Sequence, residues 1–322
     1  MKYTDVLYGE FEIDGVLERL FKSDAMQRLA GVHQAGAAYL VQKNWTVNRL
    51  EHSVGVMLLV KKFGAKLDEQ IAALLHDISH TSFSHVVDYL MQDKEEGYHD
   101  SIFLETLEKN GITAMVDVES LGLDDLTRYT LLEQPSPLLC ADRIDYFLRD
   151  MLVYGHISRC EVDAFLEALC VVDGRFVITS EEMALWYIRN YERYVSFVLL
   201  EPKNVYSAWK MSEILRYAMQ KHYIELDLLK QSTDNNIIAH LQGIHDIHLQ
   251  RELATLHPDI AVEINNQTYD FYMTGKTRVV DPLVLTERGV VPISTINKEA
   301  QESIQFLEKQ FEIGSFIRQI HV

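Results

Sequence analysis

Five titratable side chains stand within thirteen positions of the stretch "ALLHDISHTSFSHVVDYL", residues 73–90: His76, Asp77, His80, His85 and Asp88. They follow an apolar run, where packing alone favours Leu or Val. Imidazoles and carboxylates are costly to bury unless they are paired or hold an ion, so the cluster reads as chemistry. Two further candidates complete it from elsewhere in the chain, His52 in "NRLEHSVGV" and Asp142 in "CADRIDYFLRD". Taken as ligands, His52, His76, Asp77 and Asp142 offer two neutral imidazoles and two carboxylates, a set that suits a divalent transition ion such as Mn, Fe, Zn or Ni better than a thiolate site would; Mg is also admitted. His76 and Asp77 are adjacent and point about 100° apart on a regular helix. Both reach one ion only where the helix ends, and "DISHTSFS" reads as such an end. Each residue alone also has a plain structural reading, as a satisfied histidine or a chance His-Asp pair.

The elements that must carry these residues are mostly helical. "RLEHSVGVMLLVKKFGA" has apolar residues at helical spacing, with Gly64 placed to stop it. "LDEQIAALLHD" starts at Asp68 as N-cap with Glu69 in the first turn. "SPLLCADRIDYFLRDMLVYG" takes Ser136 as cap, Pro137 as first helical residue and Gly155 as stop. "CVVDGRFVIT" is a hairpin near residues 171–178 around Asp173-Gly174. Helices resume at about residues 180–200 and 205–230. After Pro258 the alternation in "DIAVEINNQTYDFYM" is β-like with a turn at Asn265-Asn266, and a last helix covers about 298–311. The fold class is mostly α, a helical body over 1–257 with a small mixed α+β C-terminal portion over 258–322.

Net charge of −18 repels nucleic-acid backbones, which argues against general DNA or RNA binding while leaving room for a small basic pocket. Three scattered cysteines form no CxxC pair and fit a reducing cytoplasm. No signal peptide and no run of eighteen apolar residues is visible, so the reading is a cytoplasmic protein without a membrane span. The N-terminal "VLYGEFEIDG" shows no evident core role.

In order and spacing, "NRLEHSVGV", "LLHDISHTSFSH" and "ADRIDYFLRD" resemble the HD-domain phosphohydrolases, and most nearly the branch holding the SAM-and-HD-domain dNTP triphosphohydrolase and bacterial dGTPase-like enzymes. The likeness runs from about residue 33 to 205, and "KTRVVDPLVL" near 276 shares it. It implies a helical HD fold with His52, His76, Asp77 and Asp142 as metal ligands. It implies that Arg49 contacts a substrate phosphate, that Gln34 lies by the sugar, and that His80, His85 and His99 surround the phosphates. His99 would protonate the leaving 5′-oxygen, oriented by Asp88. Arg143, Tyr146 and Asp150 follow Asp142 on one helical side, as substrate contacts. Ser79 and Ser82 stand where the family commonly has Gly and Pro, and Pro202 stands where relatives have His, so base choice and any allosteric nucleotide are left open. No SAM domain is expected from these residues.

Three functions are compatible: a (deoxy)nucleoside triphosphate triphosphohydrolase releasing nucleoside and tripolyphosphate; an HD phosphohydrolase acting on a nucleoside mono- or diphosphate or a messenger nucleotide; and a catalytically silent nucleotide sensor. The resemblance further implies a homo-oligomer.

Overall fold

The computed structural model describes residues 1–320. At its centre lies the Arg49–Lys62 helix, buried on nearly every side from Arg49 to Val60. Asn48 and Glu51 form a reciprocal capping box that fixes its start, and Gly64, at φ +83°, turns the chain away just beyond its end. It packs on both the Leu67–Leu75 and Ala141–Val153 helices. The Leu67–Leu75 helix ends as expected at His76, which is its C-cap. Its N-cap is Lys66 rather than Asp68, which sits in the first turn.

The Ala141–Val153 helix starts later than Ser136. The Ser136 hydroxyl bonds to the Val279 carbonyl instead of capping. Cys140 is the N-cap, and the first amides, Ala141 and Asp142, donate to the carbonyls of Leu131 and Leu132. Glu69 accepts in turn from the Leu131 and Leu132 amides at 2.8 and 3.2 Å. The two helices that present His76 and Asp142 are thereby tied to the same short segment.

Nine strands occur among the described residues. β1 (Lys2–Asp5) and β2 (Gly9–Glu12) form an N-terminal hairpin that the sequence reading missed. Leu7, Tyr8 and Ile13 of this segment are buried, which corrects the expectation that it has no core role. β3 (Leu169–Val172) and β4 (Arg175–Ile178) are the expected hairpin. β5 (Ala261–Ile264) and β6 (Phe271–Met273) flank the expected turn but do not pair with each other. β7 (Leu283–Thr286) and β8 (Gly289–Pro292) extend the sheet in the order β3-β4-β7-β8, with β4 and β7 parallel. β9 (Ser315–Ile320), unforeseen, runs between β5 and β6, antiparallel to both. The helix expected over 205–230 is two, Pro202–Gln220 and Leu226–Gln231, parted where His222 takes φ +57°. The core has two clusters. The larger surrounds the central helices, and the smaller, built on Phe83, Tyr206, Leu229, Ile237 and Phe271, packs the later helices and the β5-β9-β6 sheet.

Candidate metal centre and substrate cleft

His52 Nε2, His76 Nε2 and an Asp142 oxygen converge within 4.8 Å of one another. The two Nε2 atoms are 3.3 Å apart, and Asp142 Oδ1 lies 3.0 and 3.6 Å from them. Asp77 stands beside this group, its two oxygens 3.7 Å from His52 Nε2 and 3.5 Å from His76 Nε2, and it also clusters with His80 and His99. The other ring nitrogens are committed. His52 Nδ1 is 2.8 Å from Asp145 Oδ1 and His76 Nδ1 is 2.8 Å from the Ala73 carbonyl, both acceptors, so each Nδ1 donates. Both Nε2 atoms therefore carry lone pairs, and two lone pairs at this separation repel unless a cation stands among them. The donor set fits a divalent ion, with its ring orientations fixed from behind.

The surrounding carboxylates favour positive charge at this point, which a bound ion would supply in place of the proton that His52 otherwise holds. Burial alone would lower the His52 pKa, but hydrogen bonds to Asp142 and Asp145 and the Asp77 charge push it up to about 10. Burial would raise that of Asp77, yet Arg49, His76 and His80 hold it well below the usual carboxylate range. Behind His52, Asp145 takes a bidentate pair from Arg149 at 2.9 and 2.8 Å and a hydrogen bond from the Tyr8 hydroxyl at 2.9 Å. Arg149 also lies 3.0 Å from Asp5. Gly55 is obligatory here, since a Cβ would sit 1.9 Å from Arg149 Nη2. The N-terminal hairpin thus ends in the support of a candidate ligand.

The centre opens into a cleft of about 670 Å³ lined by Arg49, His80, His85, His99, Arg143 and Tyr146 among others. Arg49 donates to Asp77 Oδ2 at 2.7 Å and to the Ser84 hydroxyl at 2.9 Å. His80 Nε2 is 3.2 Å from Asp77, and its ring stacks on His99 with centroids 4.0 Å apart. Arg143 bonds to the Leu138 carbonyl at the cleft wall. The Tyr146 hydroxyl meets that of Tyr191 at 3.0 Å.

One predicted pairing is overturned. Asp88 accepts from His85 Nδ1 at 2.9 Å and from the Tyr98 amide at 3.1 Å, so it orients His85, not His99. The three-residue spacing on a helical turn brings His85 and Asp88 together. His99 Nδ1 is buried without a partner, and burial together with the nearby His85 pushes the His99 pKa down to about 3.

A smaller pocket of about 150 Å³ adjoins the cleft and shares Gln34, His85, Glu96, Tyr194, Lys276 and Arg278 with it. Its other walls are largely apolar, with Phe83, Val86, Val198, Val205 and Phe311. Asp150 lines it, 2% exposed; Oδ2 accepts from Tyr194 at 2.9 Å, and the buried Tyr154 hydroxyl also interacts with the carboxylate. Gln34 Oε1 is buried and unpartnered.

Several residues at the site escaped the sequence reading. Glu96 pairs with Arg278 and accepts from the Lys276 amide. Burial would raise its pKa, but the charges of Arg278 and His85 and the hydrogen bonds from Lys276 and Arg278 together hold Glu96 down at about 2. Glu133, at the rim, is pushed up to about 7 by burial and by Asp142. The only sequence signal for the first group was the likeness of "KTRVVDPLVL"; Glu133 gave none. The loop carrying His80 and His85 is strained: Phe83 at φ +63° and Ser84 at φ +52° are both left-handed, a cost of about 1–3 kcal/mol each.

The family described as the HD domain matches residues 49–150. Over 311 residues the chain is 31% identical to the metal-dependent phosphohydrolase cns2 of Cordyceps militaris, covering 91% of this chain and 88% of that one. The chain belongs to the HD-domain phosphohydrolases. As an HD-domain phosphohydrolase it is implied to use a divalent metal. It is also 40% identical over 324 residues to the uncharacterized protein YdhJ of Bacillus subtilis, with 99% of each covered. A phosphohydrolase crystal structure from Bacteroides thetaiotaomicron superposes with a TM-score of 0.74 over 100% of both chains at 19% identity, a likeness of fold. The deoxynucleoside triphosphate triphosphohydrolase SAMHD1 of Danio rerio is more distant, 30% identical over 237 residues that make up 56% of this HD-domain chain and 38% of that one.

Proposed function

We propose that this HD-domain phosphohydrolase is a (deoxy)nucleoside triphosphate triphosphohydrolase, releasing nucleoside and tripolyphosphate. The observation that carries the reading is the pair of adjoining volumes. A cleft rich in imidazole and guanidinium groups surrounds the candidate metal donors, and beside it lies a largely apolar pocket with Gln34 and Asp150 in its wall. An anionic chain suits the first volume. A nucleoside suits the second, because its faces are apolar while its sugar hydroxyls donate.

His52, His76, Asp77 and Asp142 would hold the ion, which supplies charge neutralisation and an activated water when bound. Arg49 and Arg143 neutralise non-bridging phosphate oxygens. His85, its Nδ1 bonded to Asp88, keeps Nε2 for the cleft and donates a proton to the leaving 5′-oxygen, help typically worth ~10²–10⁴-fold. This assigns to His85 the role first read for His99, which with His80 lines the phosphate path. Gln34 and Asp150 stand in the wall beside the sugar.

Purified protein with Mn²⁺ is assayed against the four dNTPs and GTP, with products separated by ion-pair chromatography and Asp77→Ala as control. Nucleoside plus tripolyphosphate, lost in the variant together with metal retention, is the expected result. Nucleoside mono- or diphosphate products would reassign the phosphate grip, and metal retention without turnover of any nucleotide would favour a messenger substrate or a sensor. The family resemblance also supports a homo-oligomer, with an allosteric nucleotide as an open addition. Sedimentation at monomer mass at micromolar concentration would overturn the oligomer.

A further inference from the structure

Far from the metal centre in sequence, Asp234 opens the Asp234–Gln242 helix and is fully buried. Its carboxylate reaches across to the two loops that line the cleft. Oδ1 accepts from the Phe83 amide at 2.6 Å. Oδ2 accepts from the His33 amide at 2.8 Å and lies 2.8 Å from His33 Nδ1. The chain of contacts continues inward. The Ser84 hydroxyl donates to the His33 carbonyl at 2.6 Å and accepts from Arg49 Nε at 2.9 Å, and Arg49 Nη1 donates to Asp77 at 2.7 Å.

We infer that Asp234 is a positioning residue for the phosphate grip, fixing Arg49 through the His33 and Phe83-Ser84 backbone. The inference rests on the reading of Arg49 as a phosphate contact.

Three observations support it. Phe83 and Ser84 are consecutive left-handed residues, neither of them glycine, a conformation that persists only where surrounding groups enforce it. Asp234 supplies an ionic acceptor at the first of these. The residue that follows the pair is His85, and the one after His33 is Gln34, so both loops enter the cleft directly beyond their anchor. Neighbouring contacts secure the same loop without reaching Arg49: the Ser82 amide donates to the Leu229 carbonyl at 2.9 Å, and Arg28 donates to the carbonyls of Ile78, His80 and Ser232. Asp234 is the member of this set whose contacts lead on to Arg49. Its replacement by Asn keeps the shape but sets an NH₂ group against at least one of the N–H donors it now serves.

The test uses full-length protein loaded with Mn²⁺ and titrated calorimetrically with inorganic tripolyphosphate, metal content being read separately. Asp234→Asn is expected to retain its metal and to bind tripolyphosphate about tenfold more weakly, the lower end of the loss seen when an outer contact is removed. On an Arg49→Ala background the same change is expected to cost nothing further. Ser84→Ala, which cuts the relay without removing a charge, is expected to match the single loss and serves if Asp234→Asn does not fold. Undiminished affinity in Asp234→Asn or Ser84→Ala, with Arg49→Ala impaired, overturns the inference and leaves the phosphate reading intact. A full additional loss on the Arg49→Ala background overturns it too. If Arg49→Ala alone binds tripolyphosphate as tightly as the unaltered protein, the phosphate reading falls and the inference with it.

Discussion

Asp150 and Glu96 border the same pocket and respond to pH in opposite ways. Burial raises the Asp150 carboxyl from 3.8 to about 6 against the hydrogen bonds from Tyr194 and Tyr154. A folded pKa above the unfolded one means stability is lost as pH rises from about 4 to about 6, amounting to about 3 kcal/mol at neutrality. Asp150→Asn is therefore expected to stabilise the fold at pH 7 by about 2–3 kcal/mol in urea titrations, the gain disappearing below about pH 4. It is also expected to weaken nucleotide binding, since one acceptor oxygen is replaced by a donor. Glu96 is depressed instead, from 4.5 to about 2, because Arg278, His85 and the hydrogen bonds to it together overcome its burial. Its contribution is present above about pH 4.5 and lost as pH falls towards 2. Glu96→Gln is expected to cost about 3 kcal/mol at pH 7, with the gap narrowing steadily in titrations at lower pH. The four candidate ligands were legible because their residue types are unusual at the end of an apolar helix and their order is distinctive. Glu96 and Arg278 were not, since nothing local joins residues 182 positions apart. Asp88 was legible as a partner but assigned to the wrong histidine, although its spacing from His85 already favoured the nearer one.

At the level of elements, the β1-β2 hairpin reaches His52 through Tyr8, Asp5 and Arg149. Tyr8→Phe removes one hydrogen bond to the buried Asp145 carboxylate, a loss of about 1.5–3 kcal/mol for a bond to a charged group. Faster metal release to a chelator is expected alongside, measured by competition with a chromogenic chelator; release at the unaltered rate would confine Tyr8 to packing. Periodicity found the central helices because their apolar faces are long. The hairpin escaped it because four-residue strands with exposed alternate positions carry little signal, as "KYTD" and "GEFE" show. The start of the Ala141–Val153 helix was misread for another reason. Ser136 and Pro137 have the residue types of a helix start, but a tertiary bond to Val279 claims the serine hydroxyl. A local rule cannot weigh a partner so distant in sequence.

For the whole molecule, no helix of the described residues is long and apolar enough to cross a membrane. The mostly helical class with a small C-terminal sheet region was legible from composition and periodicity. The partnering of its strands was not. β5 and β6 flank a clear turn, yet each pairs with β9, and β4 takes β7 from the other side of residue 257. A chain ending at residue 257 lacks that neighbour, as well as the Lys276 and Arg278 wall of the cleft. It is expected to be recovered mainly as aggregate while the full chain is soluble, because β4 then presents an unpaired edge. A soluble, metal-retaining fragment of that length would contradict this. The β4–β7 pairing also sets a timetable for synthesis. On the ribosome Ile178 emerges long before Leu283, so the growing polypeptide carries an open strand edge through the whole interval. Chaperone demand should concentrate there, and the cleft cannot close until Lys276 and Arg278 have been translated.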